Sequence, residues 1–306
     1  DLHSFPTRRS SDLFGNETQV AMHDDGSHGD GAAQDGVYGA SIPASASNAG
    51  QMVRWYIKAT DTTGTNISRF PTYTRTNDSP AYLGTVIANP ALTNPLPVFH
   101  WFVQNPPAAD TTTGTRCSVY YGGEFYDNVF CRVRGASAPM YPKKPYKFDF
   151  NPGYHFRLFP DQPRRDELNL NATYQDKAYV RAPLTFETYR NAGVPACEAF
   201  NARVQQNGVF YSVAVMIEQV DEEFFETRGL PMDGALYKMF NGIDSATSGV
   251  EKKTRRTENN SDLQQLVSGV SRSNPNRAKA IFDLLDLPEI VNYLAAGSVA
   301  EDWDRA

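Results

Sequence analysis

Two adjacent lysines follow a turn of small residues, a combination that can bind a phosphate group. The turn contains Gly135 and Ser137, each beside an alanine, and Lys143 and Lys144 follow it closely. Small side chains leave the backbone N–H groups of a turn open to an anion, and lysine ammonium groups supply the opposite charge. Lys147 is a third candidate if the register of the next strand differs. The alternative is a solvated sheet edge, because basic residues commonly line edge strands.

Transfer of a phosphoryl group from ATP needs more groups than a lysine. It needs a helix glutamate that orients the lysine, a hinge, and a carboxylate beside the acceptor hydroxyl. Glu187 lies in a predicted helix, and the hinge begins at Glu218. Asp302 or Asp304 supplies the carboxylate after the last predicted helix. These residues occur in the chain order that a kinase requires. The alternatives are an exposed helix glutamate at 187 and an ordinary helix-end residue at 302.

Predicted strands and helices position these residues. Residues 96–102 form one strand, and residues 118–134 form two more that turn at Gly122–Gly123. A hairpin spans 199–217, because Asn207–Gly208 is a strong signal for a two-residue turn. Strand, small turn, lysine strand, helix, hairpin, hinge and helix therefore follow one another, which indicates a mixed α+β domain.

Three helices are predicted with defined ends. Asp176 is the expected N-cap of the first, a proline bends it, and Gly193 ends it. A short helix spans 222–227. Asp286 and Glu289 form a capping box at the start of the last helix, whose apolar stripe runs up to the terminal acidic pair.

The chain divides into segments of different character. Residues 1–13 resemble a translated sequencing adapter, so we exclude them from the fold and expect the natural N-terminus to be missing. Residues 14–75 alternate strands with Asp/Gly turns and resemble part of an immunoglobulin-like β-sandwich of secreted bacterial proteins. Residues 76–95 are predicted to be a linker, because they are rich in Pro, Thr and Asn. Residues 96–306 form the main domain, in which 241–275 are predicted to be a mobile polar insertion.

Four aspartates on the Gly-rich turns of the sandwich are a candidate calcium site: Asp24, Asp25, Asp30 and Asp35. Hard oxygen ligands on such turns suit Ca²⁺. Their spacing does not fit the EF-hand pattern, and Asp-Gly is also a common tight-turn dipeptide. Both interpretations stay open at this point.

Cysteine and histidine give little indication of chemistry. Cys117 and Cys131 flank a predicted hairpin unequally, so a cross-strand disulfide is an alternative to buried free thiols. Cys197 stands apart from both, and three scattered cysteines make neither a disulfide scaffold nor a metal knuckle. His100 lies in an apolar strand, which favours a satisfied core histidine over a catalytic one.

Composition excludes several classes of function. The chain has 306 residues, 40% hydrophobic and 21% charged, with a net charge of -6. A net acidic chain is a poor partner for nucleic acid or an anionic membrane. No apolar run reaches the length of a membrane span. The sequence also lacks a Gly-x-Ser-x-Gly elbow and a metal-type histidine pair, which disfavours a hydrolase.

Several stretches between 96 and 306 together resemble the CotH kinase family. They are VRGASAPMYPKKPYKFDF, DKAYVRAPLTFETYRNAGVPA, NGVFYSVAVMIEQVDEEFF, ALYKM and EIVNYLAAGSVAEDWD. The resemblance implies an atypical protein-kinase-like fold that uses ATP with Mg or Mn. It also implies phosphorylation of serine or threonine in protein substrates outside the cytoplasm, by a secreted or cell-surface protein.

The resemblance places the ATP-site lysine within Lys143–Lys144, the hinge at Glu218 and the catalytic acid at Asp304. The metal-binding residues that the family carries after that acid would follow Ala306, so we expect these 306 residues alone to be inactive. The alternative function is secreted binding or adhesion, in which a kinase-like domain serves as a scaffold without catalysis.

Overall fold

The computed structural model describes residues 5–8, 14, 17–43, 47–135, 140–240 and 242–302. The chain forms two compact units. The first comprises Asp1–Pro160, Arg164–Lys177 and Asn201–Met216, and the second comprises Asp161–Pro163, Ala178–Phe200 and Ile217–Ala306. Among the described residues, no helix combines the length and apolar content that crossing a bilayer requires.

The first unit begins with short strands: β1 (Phe5–Arg8), β2 (Glu17–Val20), β3 (Met52–Trp55), β4 (Ile57–Thr60), β5 (Ile67–Phe70) and β6 (Leu83–Val86). They form a sheet in the order β2-β1-β3-β6 and a separate β4–β5 pair. Two of these strands differ from the predictions. Strand β1 lies in the excluded stretch 1–13, and β6 lies in the predicted linker 76–95. Backbone hydrogen bonding to a neighbouring strand needs no apolar pattern, so sequence periodicity did not reveal either strand.

The rest of the first unit is built on a closed barrel. Its strands are β7 (Val98–Val103), β8 (Thr115–Tyr121), β9 (Glu124–Val133), β10 (Tyr146–Asp149), β11 (Glu167–Asn171), β12 (Ala199–Gln206) and β13 (Val209–Glu218), with helix α1 (Pro106–Ala109) between β7 and β8. Their order around the barrel is β10-β11-β13-β12-β7-β8-β9. The predicted turns at Gly122–Gly123 and Asn207–Gly208 are confirmed, since each joins two of these strands directly. All four turn residues have positive φ, as tight hairpin turns require.

Side-chain alternation on β10 separates the barrel core from its outer face. Tyr146 and Phe148 are buried, and their rings lie 4.7 Å and 5.5 Å from the ring of Trp101. Lys147 and Asp149 alternate with them and are only partly buried. Successive residues of a strand point to opposite faces, so both charges lie outside the barrel.

The fold class is confirmed as a mixture of helices and strands, with the sheet closed into a barrel. Sequence patterns predicted the strands but not the closure, because closure depends on pairing between distant strands such as β7 and β12. The kinase-like fold that the resemblance implies remains a prediction.

A buried ion pair joins the sheet of β3 and β6 to the barrel. Arg54 Nη1 lies 3.1 Å from Asp127 Oδ1, and the two side chains are 8% and 2% exposed. Ser118 Oγ also donates to Asp127 Oδ1 at 2.7 Å. The backbone N–H groups of Ala81 and Tyr82 donate to Oδ2 at 3.0 and 2.9 Å. Asp127 is therefore fully compensated, as a buried carboxylate must be.

The second unit contains α2 (Arg181–Asn191), α3 (Glu222–Arg228), β14 (Tyr237–Met239), β15 (Val250–Lys252), α4 (Ser261–Val270), α5 (Arg277–Leu284) and α6 (Leu287–Val299). Helix α2 packs against α6, and the rings of Tyr189 and Tyr293 stack 5.4 Å apart. The predicted cap of α6 is confirmed, since Asp286 accepts a hydrogen bond from the Glu289 backbone at 3.1 Å.

Two predictions for this unit were wrong. Helix α2 begins at Arg181 with Val180 at the N-cap position, so Asp176 does not cap it. The stretch 241–275 is not a structureless insertion, because it contains β15 and α4. Buried Ala246, Leu263 and Val267 form a small core there. Leu263 and Val267 are four residues apart, the spacing of one helix face, but the polar residues around them in the sequence obscure this pattern.

All three cysteines are free thiols and buried, so the interpretation as buried free thiols is confirmed and the alternative disulfide is not. Burial raises the pKa of Cys117 well above its usual range, with a further contribution from Cys131 nearby. Burial also raises the pKa of Cys197 to about 12. Neither thiol is activated as a nucleophile.

Candidate functional site

An ion pair between Lys147 and Glu167 lies on the outer face of the barrel. Lys147 Nζ is 2.5 Å from Glu167 Oε1 and 3.7 Å from Asp149 Oδ1. The antiparallel register of β10 and β11 sets this geometry, since Asp149 pairs with Glu167 and Lys147 pairs with Asn169. The Lys147 side chain is 13% exposed, so its ammonium is held in place by the two carboxylates and retains limited contact with solvent.

Burial raises the pKa of Asp149 above its usual range. The positive charge of Lys147 opposes this rise, the negative charge of Glu167 adds to it, and Arg132 opposes it. Two carboxylates therefore share one lysine in a partly desolvated position, an arrangement that disfavours the ionisation of one of them.

Arg132 on β9 lies directly opposite Lys147 in the β9–β10 register. Its guanidinium donates no hydrogen bond within the described ranges, but its charge opposes the rise that burial causes in the pKa of Asp149. Like charges that face each other across two strands repel, and an anion between them removes the repulsion. Lys147 and Arg132, which we call the basic pair, share this face of the sheet with the carboxylates of Asp149 and Glu167.

The other two candidate lysines donate hydrogen bonds to backbone carbonyl oxygens. Lys143 Nζ donates to the Val213 carbonyl at 2.5 Å and to Thr173 Oγ1 at 3.5 Å. Lys144 Nζ donates to the Asp110 carbonyl at 3.2 Å. Lys147, the third candidate, forms ion pairs with Glu167 and Asp149. Which of the three lysines contacts a phosphate stays a prediction.

The small-residue turn before β10 is described only in part. Gly135 has φ of 91°, a left-handed conformation that glycine adopts easily. Ser137 lies outside the described residues. The turn as a phosphate cover stays a prediction.

Glu187 is the glutamate predicted to orient the ATP-site lysine. It lies on the exposed side of α2, in the second unit, and forms no ion pair with any residue that the structure describes. Within the first unit, Glu167 is a carboxylate that contacts Lys147. The role of Glu187 stays a prediction.

Glu218, where the hinge is predicted to begin, is the last residue of β13. Only 1% of it is exposed, and its Oε1 accepts hydrogen bonds from Arg228 and, at 2.7 Å, from the Glu198 backbone. Arg228 Nε also donates to the Ala196 carbonyl at 2.9 Å. Three residues further on, Asp221 caps α3. The predicted passage from a strand to a short helix is confirmed, and the hinge role of Glu218 stays a prediction.

The terminal acids are described only as far as Asp302. Its Oδ2 accepts a hydrogen bond from the Tyr189 hydroxyl at 2.9 Å, which connects it to α2 within the second unit. Asp304, the predicted catalytic acid, lies outside the described residues, and its role stays a prediction.

The four candidate calcium aspartates bind backbone amides instead of gathering around a shared point. Asp30 is 1% exposed and accepts from the backbones of Gly26 and His28, each at 2.8 Å. Asp24 accepts from Gly36 at 3.0 Å. Burial by itself would raise the pKa of Asp30, but the backbone hydrogen bonds from Gly26 and His28 help to lower it to about 2. No three of the four bring oxygens within 4.8 Å of one another, and the calcium site stays a prediction.

Sequence reasoning missed Glu167 and Arg132. A signal was present for Arg132, which alternates with Val133 and Arg134 so that both arginines fall on one face of a strand. Glu167 could not be selected, because its pairing with Lys147 depends on the register of β11, which follows a loop of 17 residues between Asp149 and Glu167.

Comparison with known proteins identifies relatives of both parts of the chain. A family model described as CotH kinase protein matches residues 131–306. A second, described as Conditioned medium factor 2nd Ig-like domain, matches residues 11–74. The protein named Inner spore coat protein H of Bacillus subtilis (strain 168) is 25% identical over 186 residues, covering 56% of this chain and 49% of that protein. The chain thus spans about half the length of this relative.

Proposed function

The chain belongs to the CotH kinase family, and from this premise we propose that it transfers the γ-phosphoryl group of ATP to serine or threonine hydroxyls of extracytoplasmic proteins. The name of its Bacillus subtilis relative, a spore coat protein, supports a location in a coat or outside the cytoplasm. Both residues of the basic pair, Lys147 and Arg132, fall inside the stretch that the family model matches.

The ion pair between Lys147 and Glu167 is the observation that carries the proposal. Kinases hold the phosphates of ATP with a lysine that a glutamate keeps in position. Here the 2.5 Å contact holds the ammonium on the sheet face, with Arg132 opposite it in register. A phosphate between the two cations would remove their mutual repulsion, so the residues fit the polyphosphate of a nucleotide.

Each group then has one task. Lys147 and Arg132 bind phosphate oxygens, Glu167 orients Lys147, and Asp304 accepts the proton of the acceptor hydroxyl, as the family resemblance implies. ATP supplies the transferred group, and Mg or Mn supplies the charge that neutralises it. Within each unit taken by itself, no three described Asp, Glu, His or Cys side chains gather closely enough to hold a metal ion. The metal ligands therefore remain a prediction.

The test is nucleotide binding and phosphoryl transfer by the protein expressed from its complete reading frame. MgATP binding is measured by calorimetry, and transfer is measured with radiolabelled ATP and casein. Lys147→Met is expected to weaken MgATP binding by about tenfold, the loss of one charge-assisted contact. Lys144→Met is the matched control, because Lys144 contacts a backbone carbonyl and should leave binding unchanged. Equal effects of the two substitutions would contradict the assignment of Lys147.

A coat or adhesion function without catalysis is the second candidate. The observation that favours it is that Lys143 and Lys144 both bind backbone carbonyls, as residues of a scaffold do. A scaffold protein needs no nucleotide, so the absence of magnesium-dependent ATP binding in the complete protein would support this function against the kinase.

A further inference from the structure

A cavity lies within the first unit where strand β6 approaches the barrel strand β9. Its volume is about 200 Å³, and it is partly open to solvent. Half of its lining residues are aromatic: Trp55, Tyr82, Phe125, Tyr126 and Tyr154. The cavity is separate from the basic pair, none of whose residues line it.

Aromatic side chains in the wall give the cavity its chemical character. Tyr154 is 47% exposed, and Trp55 and Phe125 are partly exposed. A protein normally buries such rings, because each offers a large apolar area. Rings left accessible around one concave space are typical of a ligand site, especially where two substructures meet.

The cavity carries no net charge to offer a ligand. Asp127, the one ionisable acid in its wall, is fully engaged by Arg54, Ser118 and two backbone amides. Asn151 adds a polar group to the lining; it is 3% exposed, and its Nδ2 donates to the Asp127 carbonyl at 2.7 Å. Its Oδ1 accepts no hydrogen bond from the described residues. A neutral ligand is therefore preferred over an anion or a cation.

Size and ring content restrict the ligand further. Sites for drug-sized molecules enclose roughly 300–1,000 Å³, so a cavity of about 200 Å³ suits a single ring. The face of an aromatic ring carries partial negative charge and attracts the slightly positive C–H groups of a saturated ring. We propose that this cavity binds one sugar ring of a neutral carbohydrate, with aromatic side chains against its C–H face and the Asn151 amide near its hydroxyl groups.

The experiment titrates glucose, galactose and N-acetylglucosamine separately into the protein. Binding is followed by saturation-transfer NMR on the sugars and by the change in tryptophan fluorescence. The part of that change that comes from Trp55 is identified by comparison with the Trp55→Phe variant. At least one sugar is expected to bind saturably, and Tyr154→Ala is expected to weaken it by about tenfold through loss of the stacking surface. Tyr154 is exposed, so this variant should fold normally, which circular dichroism verifies.

Tyr174→Ala is the matched control. Tyr174 is also exposed and in the first unit, but it does not line the cavity, so the control should bind as the parent does. Phenol is tested in parallel as a neutral aromatic ring without a saturated face. The proposal is overturned if no sugar binds saturably, if Tyr154→Ala and Tyr174→Ala behave alike, or if phenol binds and the sugars do not. None of these outcomes bears on ATP binding, so this test and that of the kinase function are independent.

Discussion

Lys147 Nζ lies 2.5 Å from Glu167 Oε1 on the neighbouring strand and 3.7 Å from Oδ1 of Asp149, two residues along its own strand. The Lys147 ammonium thus pairs with two carboxylates on the outer face of the barrel, and aromatic rings pack in the barrel core. Such an arrangement fixes the ammonium in position, and position is what a phosphate-binding lysine requires. The following predictions test this site and the packing that supports it.

Substitution of Glu167 should change the ionisation of Asp149. Glu167→Gln removes a negative charge that raises the pKa of Asp149, so that pKa should fall, whereas Lys147→Met removes an opposing positive charge and should raise it further. Carboxyl ¹³C NMR titration of Asp149 measures both shifts. Lys144→Met is the control and should leave the titration unchanged. Shifts in the reverse directions would show that the three charges do not interact as the geometry indicates.

Burial of His100 should make stability depend on pH. Burial lowers its pKa from 6.5 to about 4, and only 8% of the residue is exposed. The unfolded chain therefore takes up a proton below pH 6.5 that the folded chain takes up only near pH 4. Stability should fall as the pH drops from 6.5 to 4 and then level off, with a total loss of roughly 3 kcal/mol from this group.

Urea denaturation at a series of pH values measures this effect. His100→Gln should flatten the profile between pH 6.5 and 4, whereas His155→Gln at a partly exposed position is the comparison. The buried His100 Nδ1 has no hydrogen-bond partner in the described part of the chain. The prediction of a core histidine is therefore confirmed, but the expectation that its polar atoms are satisfied is not. An unchanged profile in His100→Gln would refute the assignment.

Removal of Arg54 should strongly destabilise the first unit. Arg54→Met leaves the Asp127 carboxylate buried without its cation, and breaking a buried pair in this way costs about 3 kcal/mol or more. Arg75→Met is the control, because the Arg75–Asp78 pair is exposed and such pairs contribute less than about 1 kcal/mol. Chemical denaturation of both variants gives the comparison, and equal losses would mean that Arg54 does not anchor the sheet to the barrel.

Gly84 should not tolerate a side chain. A Cβ at this position would lie 2.5 Å from Phe125 Cδ1, well inside van der Waals contact. Gly84→Ala should therefore lower the free energy of unfolding by about 1–3 kcal/mol through overpacking. The double variant Gly84→Ala with Phe125→Ala relieves the clash, so the cost of Gly84→Ala in that background should vanish. A persistent cost there would point to the backbone instead of the ring.

Local chemistry in the sequence predicted the elements that depend on neighbouring residues. Asn207–Gly208 and Gly122–Gly123 turn the chain where expected, because their backbone preferences act within two residues. Asp286 caps α6 for the same reason. The family resemblance, carried by short motifs, was also confirmed. Asp176 failed as an N-cap although its residue type is suitable, since tertiary packing starts α2 five residues later.

The sequence by itself thus determined the turns, most strands, the α+β class, the family and the stretch that holds the lysines. Only the tertiary structure decided that Lys147 pairs with Glu167 and Asp149, and that Lys143 and Lys144 each donate to a backbone carbonyl. It also decided that the sheet closes and that aromatic rings from distant strands line one cavity. The physical reason is that register and closure depend on pairing between residues far apart in the chain, which no local pattern encodes.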